Sequence, residues 1–188
     1  MTGFLLHLLR HGAPEITGRM LGRTDCRPTQ EGIAACVAQA KGLDIDIHIS
    51  SDLARARQPG EALAAASGQP LIVDPRWREL DFGDWDGMSS AEVDPVALGQ
   101  FWSDPDGRPP PGGERWSALT DRVSAAIHDL TPRPTLVVTH GGAMRAALAL
   151  LCGFDARQVW AFDLPYASLL SLHIWPGETL SAQIAGLR

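Results

Sequence analysis

Two short apolar runs at opposite ends of the chain stop in the same way. Phe4–Leu9 (FLLHLL) ends on Arg10, His11 and Gly12, and Thr135–Thr139 (TLVVT) ends on His140, Gly141 and Gly142. Runs of this length, closed by glycine, suit a single buried strand and are too short for a helix. Strands apolar on both faces belong inside a parallel sheet covered by helices. In open parallel sheets, ligands bind just beyond the carboxyl ends of the strands. The two runs therefore predict a sheet whose carboxyl edge carries His11, His140 and Arg10. The glycine after each histidine is expected to let the backbone come close to a ligand.

The rest of the chain alternates strands with helices. Ala13–Arg27 is a Gly/Pro-rich connector. Thr29 caps a helix running to about Lys41 and closed by Gly42. Leu43–Ser50 (LDIDIHIS) alternates apolar and polar residues, which predicts a strand. A second helix covers Ser51–Ser67, with Pro59 near its first turns and Gly68 at its end. Pro70–Val73 is a short strand. Asp74–Trp116 has no clean periodicity, and a stretch this long is expected to be a lid or binding segment or to hold short helices. Arg115–Leu130 is a helix with apolar spacing at Trp116, Leu119, Val123 and Ile127. After the strand at Thr135, a helix is expected over Ala143–Cys152. Ala167–Trp175 and Thr179–Leu187 form a hairpin about Pro176-Gly177. This order gives an α/β fold with a mainly parallel sheet. It is expected to form one domain over 1–188, with 74–116 as its irregular lid or substrate segment.

The formal charge of -6 over 188 residues excludes the basic face of a general nucleic-acid or membrane-surface binder. No apolar run reaches the ~20 residues of a membrane span, and the opening run lacks the basic start of a signal peptide. Cys26, Cys36 and Cys152 have neither CxxC nor metal-ligand spacing. A reduced, cytoplasmic protein is expected, with Cys36 and Cys152 as small buried hydrophobes. Neither a metal nor a cofactor is expected.

Ser51-Asp52-Leu53-Ala54-Arg55-Ala56 follows a buried strand and opens a helix. Arg55 is thereby carried to the same carboxyl edge, where a helix N-terminus favours anions. Arg10 and Arg55 beside His11 and His140, in an acidic protein, make a pocket suited to phosphate, since the guanidinium fork matches phosphate oxygens. His7, His48, His128 and His173 read as structural, with His48 on the polar face of its strand. Trp85 and Trp102 read as lid packing or as the wall of a substrate pocket.

The chain resembles the histidine phosphatase superfamily, the group that includes the cofactor-dependent phosphoglycerate mutases. The likeness rests on Leu-Leu-Arg-His-Gly at 8–12, the Ser51–Ala56 block, Glu79–Gly87 (ELDFGDWDG), Pro111-Gly112-Gly113-Glu114 and Thr139–Gly142. These stand in the family's order across most of the chain. The resemblance implies a three-layer sandwich of the phosphoglycerate mutase type. It makes His11 the nucleophile that forms a phosphohistidine. Arg10, Arg55 and His140 would hold the phosphoryl oxygens, with Gly141 beside them. Glu79 would protonate the leaving alcohol and then deprotonate the attacking water. A neutral His11 is required, and neighbouring arginines would keep it so. Its other ring nitrogen is expected to donate to a backbone carbonyl. Asp81, Asp84 and Asp86 share the Glu79 loop and read as turn residues. The family's Asn after the first motif has no clear counterpart, and Thr17 is the nearest substitute ligand. Its Gln-Thr after the arginine block is Gln58-Pro59 here.

The short stretch between Glu79 and His140 lacks the insertion of the mutases and favours hydrolysis over transfer. The expected substrate is a small phosphorylated metabolite. Gly22-Arg23-Thr24-Asp25 loosely resembles α-ribazole phosphatases. A phosphoglycerate mutase, a protein-phosphohistidine phosphatase and a non-catalytic phospho-ligand module are the alternatives. The last strand could pair between two subunits of a homodimer.

Overall fold

The computed structural model describes residues 3–175, 177 and 181–188. Six strands form one sheet in the order β3-β2-β4-β1-β5-β6. They are β1 (Phe4–Arg10), β2 (Ile47–Ser50), β3 (Leu71–Val73), β4 (Thr135–Thr139), β5 (Leu169–Trp175) and β6 (Ser181–Leu187). The pairs β2–β3, β2–β4 and β1–β4 are parallel, whereas β5 and β6 add an antiparallel ribbon beside β1. The expected turn at Pro176-Gly177 falls largely outside the described residues.

Side chains alternate across the sheet. Leu6 and Leu8 of β1, Val137 of β4, Ile49 of β2 and Leu170 and Leu172 of β5 face one way. They pack against α4 (Trp116–His128) and α5 (Gly141–Cys152). Leu9, Leu136, Val138 and Leu169 face the other way, toward α1 (Gln30–Gln39) and α2 (Ala54–Ser67). The result is three layers with the sheet in the middle, as the family resemblance implies. No helix among the described residues is long and apolar enough to cross a membrane.

Several boundaries differ from expectation for local reasons. β2 begins at Ile47 because its partner β4 begins at Thr135. Before that, the amides of Asp46 and Ile47 both donate to the Pro134 carbonyl, so Leu43–Ile45 find no ladder. α2 begins at Ala54, since the Ser51 amide still bonds Val138 and the Leu53 amide bonds the Ser51 hydroxyl. Arg55 is thereby the second residue of the helix. α5 begins at Gly141, with His140 itself as N-cap. His48 lies on a buried face, 2.9 Å from the Ser67 hydroxyl, because α2 covers that side. Cys26 is buried as well as Cys36, while Cys152 is half-buried. Burial pushes the Cys36 thiol up to about 12, so it behaves as a hydrophobe.

The segment 74–116 contains two single 3-10 turns (Pro75–Trp77 and Gly83–Trp85) and α3 (Pro95–Ser103). Trp77, Leu80, Trp85, Val93 and Phe101 from this segment belong to the same apolar cluster as α4 and α5. Isolated large side chains anchor it, and that pattern has no period to read.

Candidate active site

The carboxyl ends of β1 and β4 bring the two histidines together. The Arg10 amide donates to Ser168 and the His11 amide to Thr139, while Ala167 donates to the His11 carbonyl. His11 is thereby pinned where the parallel and antiparallel halves of the sheet meet. Its ring lies 5.0 Å from that of His140, nearly edge to face. Both are buried.

His11 Nδ1 is 2.8 Å from the Gly12 carbonyl. A carbonyl only accepts, so Nδ1 carries the proton and Nε2 is left with its lone pair. Burial pushes the His11 pKa down to about 3, helped by Arg55 and Arg10, while the Gly12 hydrogen bond opposes the shift. The arginines contribute as expected, but burial dominates. His140 is held well below the usual imidazole range, first by burial and then by Arg55 and His11. Its Nε2 is 2.9 Å from the Ser51 hydroxyl.

A cavity of about 150 Å³ is lined by Arg10, His11, Arg55 and Glu79, together with Phe82 and Tyr166. Arg10 donates to the Leu164 carbonyl, and its guanidinium stacks 4.4 Å from the Tyr166 ring centre. Arg55 is 1% exposed. Three of its hydrogen bonds go to the carbonyls of Thr24 (2.8 Å), Leu21 (2.7 Å) and Gly22 (3.0 Å). It therefore holds the 21–24 loop as well as facing the cavity. The N-terminus of α2 is not free for a ligand, because Asp25 accepts from the Ala54 amide at 2.6 Å.

Glu79 is half-buried and sits on the N-terminus of α5. Its Oε1 accepts from the amides of Leu80 (2.8 Å) and Gly142 (2.9 Å). A Cβ on residue 142 would lie 2.1 Å from that oxygen, so Gly142 makes room for the carboxylate. Arg122 fixes the backbone behind it, donating to the carbonyls of Arg76, Arg78 and Glu79 at 2.7–2.9 Å. Glu114, from the Pro-Gly-Gly-Glu motif, grips the same guanidinium with both oxygens. Asp81 caps a local turn by accepting from the Gly83 amide, but both aspartates also tie this loop to the 22–24 loop: Asp81 pairs with Arg23 at 2.7 Å, and Asp86 accepts from the Gly22 and Thr24 amides.

Three expectations need correction. Gly12 does not open space for a ligand: its missing Cβ would lie 2.0 Å from the Gly32 carbonyl oxygen, so it lets the turn after β1 pack backbone to backbone on α1. Thr17 is exposed and does not line the cavity, because the strandless 15–19 loop carries it outward. Gly141 does not line this cavity either; it lines its neighbour. Ser51, Tyr166 and Arg122 were missed as site components. Ser51 heads a motif already singled out. Tyr166 is the one tyrosine in the sequence, but it carries no periodic signal.

Among the described residues, Arg10 Nε, His140 Nδ1, Arg145 Nε and Trp160 Nε1 are buried without hydrogen-bond partners. Such groups typically cost about 1–3 kcal/mol each when no partner is supplied. No group of three His, Cys, Asp or Glu side chains among the described residues could hold a metal ion. The arrangement can take an oxyanion between two guanidinium groups, in reach of a neutral imidazole and a carboxyl group.

The buried histidines also set an acid limit on stability. Burial lowers the pKa of His7, His11, His48 and His140. Below pH ~6.5 the unfolded chain takes up these protons and the folded one does not, so stability falls as pH falls. Each fully buried neutral histidine can contribute about 1.4 kcal/mol per pH unit in that window. The urea midpoint is therefore expected to drop steeply between pH 6.5 and 4.5, and less steeply in His11→Asn. Equal slopes in the two proteins would contradict the burial of a neutral His11.

Residues 6–184 match the family model described as histidine phosphatase superfamily, branch 1. A glucosyl-3-phosphoglycerate phosphatase of Mycolicibacterium vanbaalenii is 36% identical over 167 residues, covering 79% of this chain and 74% of that protein. The native mycobacterial glucosyl-3-phosphoglycerate phosphatase superposes with a TM-score of 0.85 at 27% identity, over 97% of each chain. A putative α-ribazole-5′-phosphate phosphatase of Escherichia coli has a TM-score of 0.81 over 97% of this chain and 96% of its own. At 24% identity, that last likeness is one of fold.

Proposed function

The chain belongs to the histidine phosphatase superfamily, and on that premise we propose that it is a phosphomonoesterase working through a phosphohistidine at His11, without a metal ion. The observation that carries this reading is the His11 imidazole. It is neutral, its Nδ1 is tied to the Gly12 carbonyl, and it shares a cavity with Arg10, Arg55 and Glu79. Nε2 attacks phosphorus, the N–P bond forms and the ester P–O bond breaks. Glu79 gives its proton to the departing alkoxide. Glu79 then takes a proton from water, the water oxygen attacks phosphorus, and the N–P bond breaks to release phosphate and His11. Arg10, Arg55 and His140 Nδ1 meet the charge that builds on the phosphoryl oxygens.

The substrate is a small phosphorylated metabolite. Between the two candidates, a phosphorylated glyceric acid or its glucoside is favoured over α-ribazole 5′-phosphate. The relative at 36% identity is named for the former, whereas the α-ribazole phosphatase shares the fold at 24%. The short segment between Glu79 and His140 supports hydrolysis over mutase transfer. Purified protein is expected to release p-nitrophenol from its phosphate ester undiminished by EDTA. It is also expected to leave an acid-labile, base-stable phosphate on the enzyme after rapid quenching. Activity that EDTA abolishes and divalent metal restores would overturn the metal-free mechanism.

A further inference from the structure

A second cavity of about 140 Å³ adjoins the first and shares Arg10, Glu79 and Phe82 with it. Trp102 of α3, Trp116 of α4 and Trp160 form its aromatic wall, and Arg145 of α5 reaches into it. None of the steps above uses these residues.

Arg145 is held in place but not neutralised. Its Nη1 donates to the Gly141 carbonyl at 3.4 Å and its Nη2 to the Phe162 carbonyl at 3.1 Å. Its Nε is buried without a partner, and the guanidinium lies 4.6 Å from the centre of the Trp160 ring. Burial pushes the Arg145 pKa down, with Arg10 acting the same way against the opposing pull of Glu79 and Asp163, and Arg145 forms no ion pair among the described residues. Arg10 is close by. A Cβ on Gly141 would stand 3.1 Å from Arg145 Nη1 and 3.7 Å from Arg10 Nε. Two unpaired guanidinium groups side by side repel each other unless each receives an anion. Arg10 is supplied by the phosphate. A second anionic group, a short distance away on the same ligand, would pair Arg145 directly, which Glu79 and Asp163 do not.

We propose that Arg145 determines specificity, taking the carboxylate of a phosphorylated hydroxy acid whose phosphate lies between Arg10 and Arg55, with the tryptophan wall accepting the body of the leaving alcohol. This rests on the phosphomonoesterase reading above. In a phosphoglycerate the carboxylate stands one or two carbons from the ester oxygen, which suits cavities that share Arg10. The planar guanidinium fork binds a carboxylate through two parallel hydrogen bonds. Indole faces suit the C–H surface of a sugar or other flat substituent.

The test compares 3-phosphoglycerate with glycerol 1-phosphate, which keeps the ester and loses the carboxylate. Wild-type protein is expected to prefer 3-phosphoglycerate in kcat/KM by about tenfold or more. Arg145→Met is expected to lower kcat/KM for 3-phosphoglycerate by about 10–100-fold, mainly through KM. Glycerol 1-phosphate and p-nitrophenyl phosphate should change little, and Arg145→Lys should fall between. Equal wild-type use of the two alkyl esters, or equal losses on both in Arg145→Met, would overturn the assignment. Should Arg145→Met fail to fold, the wild-type preference and the KM of Arg145→Lys decide. A wild-type protein inert toward p-nitrophenyl phosphate would sink the phosphatase reading itself, a different result from hydrolysis without preference.

Discussion

Replacing His11 by alanine is expected to remove turnover of p-nitrophenyl phosphate by a factor on the order of 10⁴ or more. It should also remove the phosphate trapped on the enzyme by rapid quenching. The reason lies in the ring's two nitrogens. Nδ1 is committed to the Gly12 carbonyl, so Nε2 is the one lone pair of this imidazole that faces the arginines. The fold should survive the change. The side chain makes that single hydrogen bond to its own neighbour, and the backbone bonds to Thr139 and Ala167 do not involve the ring. A thermal midpoint near that of wild type, beside lost activity, separates chemistry from unfolding. His140 is the competing candidate for phosphoryl carrier, but its Nε2 is tied to Ser51 and, unlike His11, it does not line the cavity that holds Arg10, Arg55 and Glu79. Peptide mapping of the quenched enzyme decides between them. Phosphate on His140, or full activity in His11→Ala, would overturn the mechanism.

The sheet and its reactive edge were legible because burial on both faces of β1 and β4 leaves runs of apolar residues that nothing else explains. The reading of Arg55 depended on less. Its place after a buried strand brought it to the right edge, and the helix around it follows from the turn at Ser51–Leu53. Leu43–Asp46 has the alternation of a strand and is not one. Alternation records which side chains prefer burial, whereas a ladder needs a partner, and Pro134 ends the partner. The same limit applies to 74–116. Trp85 and Phe101 meet edge to face with 5.8 Å between ring centres, and Trp77 joins the same cluster as α4 and α5, so their spacing follows tertiary packing and not a helix or strand period.

Other features were hidden because they depend on pairs distant in sequence. Gly12 has the look of a ligand-facing glycine, but it is needed where the turn after β1 meets Gly32 of α1. Asp25 occupies the end of α2 that was expected to stay free for an anion. Glu114 was visible as part of a motif, yet its action runs through Arg122 onto three carbonyls that include that of Glu79. Arg145 sits on an unremarkable helix face in the sequence, and only the arrival of Trp102, Trp116 and Trp160 from three other elements gives it a cavity to serve.

Glu79→Gln separates the two halves of the proposed reaction. The amide oxygen of glutamine can still accept from Leu80 and Gly142, so the loop should keep its shape. What is lost is the exchangeable proton. An alkyl phosphate such as 3-phosphoglycerate expels a strongly basic alkoxide and needs that proton in the transition state. Its kcat is expected to fall by about 10²–10⁴-fold. p-Nitrophenolate leaves without protonation, so His11 should still be phosphorylated at a rate near wild type. The next step differs, because water must then attack phosphohistidine without a base. The variant is therefore expected to give a burst of p-nitrophenol close to one equivalent per enzyme, followed by slow turnover. Adding a strong small nucleophile should raise the slow phase more in the variant than in wild type. Equal losses for alkyl and aryl esters, with no burst, would remove Glu79 from the acid–base role and leave it as a cap on the N-terminus of α5.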